Sequence, residues 1–220
     1  MQSVHQFAEK VALVTDGAHL IGGAVALQLA LQGSYVITAF SGLKQSDVRA
    51  IDELYSLGTL AGAIEAEVTT SKGVAEVVEE VERMFGRLDL PVNCLKFQRE
   101  SSYKEGADAI SGAAEAKAAK LGTGAAMNLM QPRTMPKIVI VGWSDASLVV
   151  DFAKSQAAEL PDKFRANCVI VRQDKAGPGP AEFTVLRAAS AVSPDDVAKV
   201  ITFLLSPESI ALNGQILTVG

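Results

Sequence analysis

Cysteine is nearly absent from this 220-residue chain: Cys94 and Cys168 are too few for a disulfide framework and lack the paired spacing that holds zinc. Both are expected to be reduced, half-buried residues at strand ends. A run of lysines or arginines is missing too. The 25 acidic residues outnumber the 20 basic ones, for a net charge of -5, so nothing supplies the cationic surface that phosphate backbones or anionic lipids require. Neither a nucleic acid nor a membrane partner is therefore expected. No segment approaches the roughly 18 consecutive apolar residues of a membrane span, and the opening residues MQSVHQFAEK lack the apolar stretch of a signal peptide. A cytoplasmic protein is expected. What is abundant is ordinary core material, 49% hydrophobic against 20% charged, enough for one domain over 1–220. Repeats, low-complexity tracts and linkers are lacking.

Short β-rich runs alternate with longer amphipathic stretches, which predicts an α/β fold: a doubly wound parallel sheet of the Rossmann type, three layers in a single domain. Strands are expected at Val11–Thr15, Tyr35–Phe40, Ala61–Val68, Leu88–Cys94, Lys137–Val141, Ala166–Val171 and Gln215–Val219. Pro91 cannot donate to a ladder, so the fourth strand must begin near it or tolerate one missing bond. Helices are expected over Ile21–Leu31, Ser46–Leu57, Ser71–Phe85, Ala107 to Met130, Ser147–Leu160 and Pro194–Leu205. Ser71 and Ser193 are placed as N-caps and Gly86 as a C-terminal stop, with a distortion around Gly122 to Gly124. Gln173 to Val192, with its AGPGP cluster, reads as loop.

Ligands of doubly wound sheets bind where strand carboxyl ends meet helix N-termini. After the first strand comes Thr15-Asp16-Gly17-Ala18-His19-Leu20-Ile21-Gly22-Gly23, the general form of a phosphate-binding turn. Lys10 to Thr15 with Ile21-Gly22, Gly86-Arg-Leu-Asp-Leu-Pro-Val-Asn93, Lys137-Ile-Val-Ile-Val, Ser193-Pro-Asp-Asp-Val-Ala198 and Gly214-Gln-Ile-Leu-Thr-Val219 together resemble the short-chain dehydrogenase/reductase family along nearly the whole chain. That resemblance implies the family fold and a nicotinamide dinucleotide, NAD or NADP. Carried over residue by residue, it places the cofactor at Thr15, Gly17, Ile21, Gly22, Phe40, Glu67, Val68 and Asn93. It also implies dimers or tetramers, for which the Ala-rich stretch from Ala113 to Ala126 offers a close-packing surface.

The departures from the family pattern carry more information than the matches. The family's turn reads Thr-Gly-x-x-x-Gly-x-Gly, and here Asp16 and Leu20 stand at its first two glycines. Leu20 adds bulk where backbone must approach pyrophosphate, and Asp16 adds an anion; two unit charges about 5 Å apart at an effective dielectric of about 20 repel by roughly 3 kcal/mol. No tightly bound cofactor is expected. Phe40 and Ser41 at the second strand end are neutral, so no preference between NAD and NADP is written there. Family catalysis also needs a tyrosine with a lysine four residues on, a serine and an asparagine. The only tyrosines, Tyr35, Tyr55 and Tyr103, are followed at that spacing by Ala39, Thr59 and Ala107. Alignment through Val149 to Lys154 puts Gly142 and Ala146 at the tyrosine and lysine positions, Trp143 or Ser144 at the serine and Glu115 at the asparagine. Ser144, Glu115 and Tyr103 are the weak catalytic candidates.

The expectation is a family-like domain that has lost hydride transfer and serves as a binding or partner subunit, a homo-oligomer or a companion to an active paralogue. The alternative is a divergent NAD(P)-dependent oxidoreductase whose proton donor comes from elsewhere. A third possibility is hydrolase-like chemistry built from His19, Cys94, Ser144 and Asp145. The acidic run Glu79, Glu80 and Glu82 reads as a solvent-facing helix surface, and His5 as solvated.

Overall fold

The computed structural model describes residues 5–17, 20–42, 45–95, 120, 122–130, 136–143, 147–171 and 192–219. Seven strands form one parallel sheet: β1 Val11–Thr15, β2 Tyr35–Phe40, β3 Ala61–Glu65, β4 Leu90–Cys94, β5 Lys137–Trp143, β6 Arg165–Val171 and β7 Ile216–Val219, in the order β3-β2-β1-β4-β5-β6-β7. The helices are α1 Leu20–Leu31, α2 Gln45–Ser56, α3 Ser71–Phe85, α4 over 122–129, α5 Ser147–Glu159 and α6 Pro194–Leu205. The doubly wound, three-layer, Rossmann-type fold expected from the alternation is what the chain forms.

Strand alternation sorts the side chains onto two faces. Ala12, Val14, Val36, Val92, Val139 and Val141 pack on α1 and α6. Val11, Leu13, Ile37, Ala39 and Ile138 point the other way, against Val77 and Val81 of α3 and Ala126 and Leu129 of α4. Each fully buried valine, leucine or isoleucine in these layers contributes about 1.5–3 kcal/mol by leaving water. On α3 the buried residues Val74, Val77 and Val81 recur at helical spacing, which is why the segment coils with that face inward.

Several local expectations are corrected. Thr70, and not Ser71, caps α3: its hydroxyl accepts from the Gly73 amide at 3.1 Å, while Gly86 ends the helix with φ 63. Strand β3 stops at Glu65, short of Val68, because the chain turns at Glu67, whose carbonyl accepts from Thr70 N and Oγ1. Residues 122–129 form an unbroken helix, with Gly122 at ordinary contact distance from Val74 and no distortion over Gly122 to Gly124. Neither cysteine is half-buried. Cys94 is enclosed at the end of β4, and Cys168 lies in the middle of β6 with no exposed surface. Gly142 belongs to strand β5, paired with Ile170. Pro91 does lie inside a central strand: it faces Leu13 of β1, and pairing with β5 starts only at Val92, so one ladder bond is forgone. Ser193 caps α6 through the Asp196 amide, with Pro194 in the first turn, as its sequence implies.

Candidate functional site

At the carboxyl edge of the sheet, the ends of β1, β2 and β4 and helices α3 and α4 enclose a cleft of about 780 Å³, part of it open to solvent. Parity along the strands decides what enters it. On β4, Leu90, Val92 and Cys94 pack in the α1 layer, which turns Pro91 and Asn93 toward the α3/α4 side and into the cleft. Leu13 of β1 joins them, with Val74, Val77 and Val78 of α3 forming an apolar wall. The polar groups are few. The Asn93 side-chain amide, 8% exposed, donates to the Thr123 hydroxyl at 3.2 Å. Asp16, 4% exposed, also lines the cleft and is the only charged residue among the described ones that do.

The turn after β1 is shaped by close approach. Asp16 adopts φ 55, a left-handed conformation that glycine takes freely and aspartate tolerates better than most residues. A Cβ on Gly22 would fall 2.3 Å from the Asp16 carbonyl oxygen, and one on Gly17 would fall 2.6 Å from the Thr38 side chain. Both positions must remain glycine for α1 to start so close to the strand. Leu20, the first residue of α1, is 70% exposed at this edge.

Not every expected ligand residue is free to serve. Thr15 Oγ1 accepts from the Cys94 amide at 2.9 Å and donates to the Cys94 carbonyl at 3.3 Å, stitching β1 to β4 while lining the cleft. Ile21 is buried in the α1 core. Phe40 packs against Ile51 and presents part of its ring to the cleft. Glu67 is exposed, its carboxylate accepting from Thr69 Oγ1 at 2.6 Å, whereas Val68 does reach the cleft. Ser144, Glu115, Tyr103, His19 and Asp145 lie outside the described residues. The Cys94 thiol is no nucleophile: burial, reinforced by the charge of Asp16, pushes it far above the ordinary thiol range. Burial likewise pushes Cys168 up to about 12.

Thr123 and Gly73 escaped sequence reasoning. A hydroxyl in the Ala/Gly-rich run before Met130 is the signal that could have marked Thr123, since a polar residue on an apolar helix face needs a partner. Gly73 stands where a Cβ would fall 2.1 Å from the Glu67 carbonyl oxygen, and nothing in its neighbours announces that contact.

Sheet order, helix placement and the cleft at the switch between β1 and β4 define a dinucleotide-binding type of α/β domain. The family model described as short chain dehydrogenase matches residues 10–146. The chain belongs to the short-chain dehydrogenase/reductase family. A short chain dehydrogenase of Burkholderia cenocepacia, solved in complex with NADP, superposes with a TM-score of 0.81 at 24% identity, over 97% of each chain. A dehydrogenase/reductase of Sinorhizobium meliloti gives 0.82 at 22% identity, over 99% of this chain and 96% of that one. Among curated proteins, hydroxynaphthalene reductase arp2 of Aspergillus fumigatus is 37% identical over 84 residues, which is 38% of this chain and 31% of that protein. The short-chain dehydrogenase/reductase FrzI of a Cladobotryum species is 31% identical over 85 residues, 39% and 33% of the two chains. The matched part spans about a third of the length of these curated relatives. Among the described residues no helix is long and apolar enough to cross a membrane, and no group of metal-binding side chains occurs.

Proposed function

We propose that this chain is a family member that has given up hydride transfer and acts as a binding or partner subunit. The observation that supports this reading is the turn after β1, where Asp16, 4% exposed and lining the cleft, stands at the position of the family's first glycine. Such a turn does not fit a pyrophosphate, because Asp16 adds a carboxylate and Leu20 a branched side chain where the family has glycine. The absence of any tyrosine with a lysine four residues on in these 220 residues supports the same reading, as does the placement of Gly142 inside a strand. In this reading residues 1–220 make one domain, cytoplasmic and self-associating, with an active paralogue as a candidate partner. Ala126 is turned into its own core, whereas Gly124 is exposed and Ala125 half-buried; Ala113 to residue 119 lie outside the described residues. A single species of monomer mass in light scattering at micromolar concentration would remove the self-association.

Calorimetric titration with NADH and NADPH tests the reading. No binding tighter than about 1 mM is expected, and Asp16→Gly with Leu20→Gly should raise the affinity measurably. Micromolar binding by the parent chain would overturn it in favour of a divergent NAD(P)-dependent reductase, with Thr15, Gly17, Gly22, Phe40, Val68 and Asn93 as cofactor contacts. That second reading draws on relatives named as reductases, and hydroxynaphthalenes are the substrates to try first. Oxidation of NAD(P)H well above background that vanishes on changing Ser144, Glu115 or Tyr103 would show that the chemistry had moved elsewhere in the chain.

A further inference from the structure

The helix layer on one face of the sheet is uneven. α1 lies between α2 and α6, and the three run parallel because each leads back to the amino edge of a parallel sheet. The buried residues of α1 fall on one side, which turns Leu20, Ala24, Leu27 and Leu31 outward at helical spacing. Leu20 is 70% and Leu31 50% exposed, and Gln28 is the only polar residue in the helix. A surface helix ordinarily carries charge on that side. Its two neighbours obey the rule: α2 exposes Arg49, Asp52 and Glu53, and α6 exposes Asp195, Asp196 and Lys199. An apolar stripe thus runs between two charged rails, widened on the α6 side by Phe203, 46% exposed. Such a patch on a surface otherwise charged marks a site of association.

The rails say what covers it. Among the exposed residues of α2 the cation Arg49 comes before the anions Asp52 and Glu53, whereas on α6 the anions Asp195 and Asp196 come before the cation Lys199. Two copies laid face to face with their α1 helices parallel set α2 of each on α6 of the other, and cation then meets anion at both levels. Lys199 already holds Asp196 at 3.0 Å, and its exposed ammonium has further donors for a second carboxylate. Four carboxylates against two cations suit a lipid surface poorly. Deepening the self-association proposed above, on which it rests, we infer that two copies of this chain pair through this face, α1 on α1, with Ala24 letting the two helices approach closely.

Sedimentation velocity of the full chain at micromolar concentration should show a dimer. Leu27→Glu, which puts a carboxylate at the centre of the contact, should raise the dissociation constant about a hundredfold. Leu31→Glu takes its place if circular dichroism shows Leu27→Glu to be unfolded. Lys199→Glu should weaken the dimer about tenfold, and Asp52→Lys with Glu53→Lys in the same chain should restore it. A monomer would overturn the inference together with self-association. A dimer indifferent to the folded leucine variant, unweakened by Lys199→Glu or unrestored by the reversed charges would overturn the inference alone, leaving self-association to another surface. Micromolar NADH binding would sink the loss of hydride transfer without touching this face.

Discussion

The two edges of the sheet are built by different rules. At the amino edge β1, β5, β6 and the lead-in to β7 are tied by buried or half-buried polar side chains. Asp89 accepts from the Val11 amide at 2.9 Å and from Arg87 Nε at 3.0 Å. Lys137 donates to the Ser206 carbonyl and to Ser209 Oγ. Asn167 donates to the Leu212 carbonyl at 3.2 Å and accepts from the Gln215 amide at 3.1 Å. At the carboxyl edge the described residues line an apolar cleft, with Thr15 bonded to Cys94 and Asn93 to Thr123. The side chains that tie the amino edge are different residues from those that line the cleft, so a change in one set need not disturb the other.

The sharpest way to break this comparison is Asn167→Ala. It empties the buried site of the Asn167 side chain and removes the partner of the half-buried Leu212 carbonyl and of the Gln215 amide that leads into β7, so a loss of about 3 kcal/mol is expected in urea unfolding. A loss under about 1 kcal/mol would mean that the amino edge carries less than its bonds suggest. Asp89→Ala should cost about 2 kcal/mol by the same measurement, since the Val11 amide and Arg87 lose one shared acceptor. A further test uses pH. With the Cys168 thiol raised from about 9 to about 12, the folded state holds that proton more tightly than the unfolded state. Its contribution is complete below about pH 9 and is lost as pH rises toward about 12. Relative to Cys168→Ala, the parent should lose about 1 kcal/mol of stability by pH 10, and neither cysteine should react with Ellman's reagent at pH 8 without denaturant. The smallest effect belongs to the carboxyl edge. Asp16→Gly relieves a left-handed aspartate and Leu20→Gly removes an exposed side chain, so the pair should shift stability by less than about 1 kcal/mol. A larger loss would show that the turn is structural after all.

How much of this was legible depends on how local the cause was. Strands β1 and β2 were found to the residue because continuous apolar runs bounded by turns leave no other choice. The α3 cap moved from Ser71 to Thr70 because adjacent hydroxyls are indistinguishable until the helix has a phase. Burial of Cys168 was underread because alternation in a sheet covered on both faces carries no sign of which side is deeper. Of the residues that the family motif singles out, Thr15, Phe40, Val68 and Asn93 line the cleft, whereas Ile21 faces the core and Glu67 turns to Thr69, a difference of side-chain direction that motif position does not encode. Thr123 was missed because its partner is 30 residues away, beyond any local pattern.

Gly22 and Gly73 lock two helices against the chain leaving β1 and β3, with no room for even one added carbon. Such contacts leave those two helix starts no slack, so the parts of the cleft wall that the turn after β1 and α3 supply are set by backbone against backbone. A substitution as small as glycine to alanine at either position would have to move a helix, which makes these two walls the least evolvable part of the cleft.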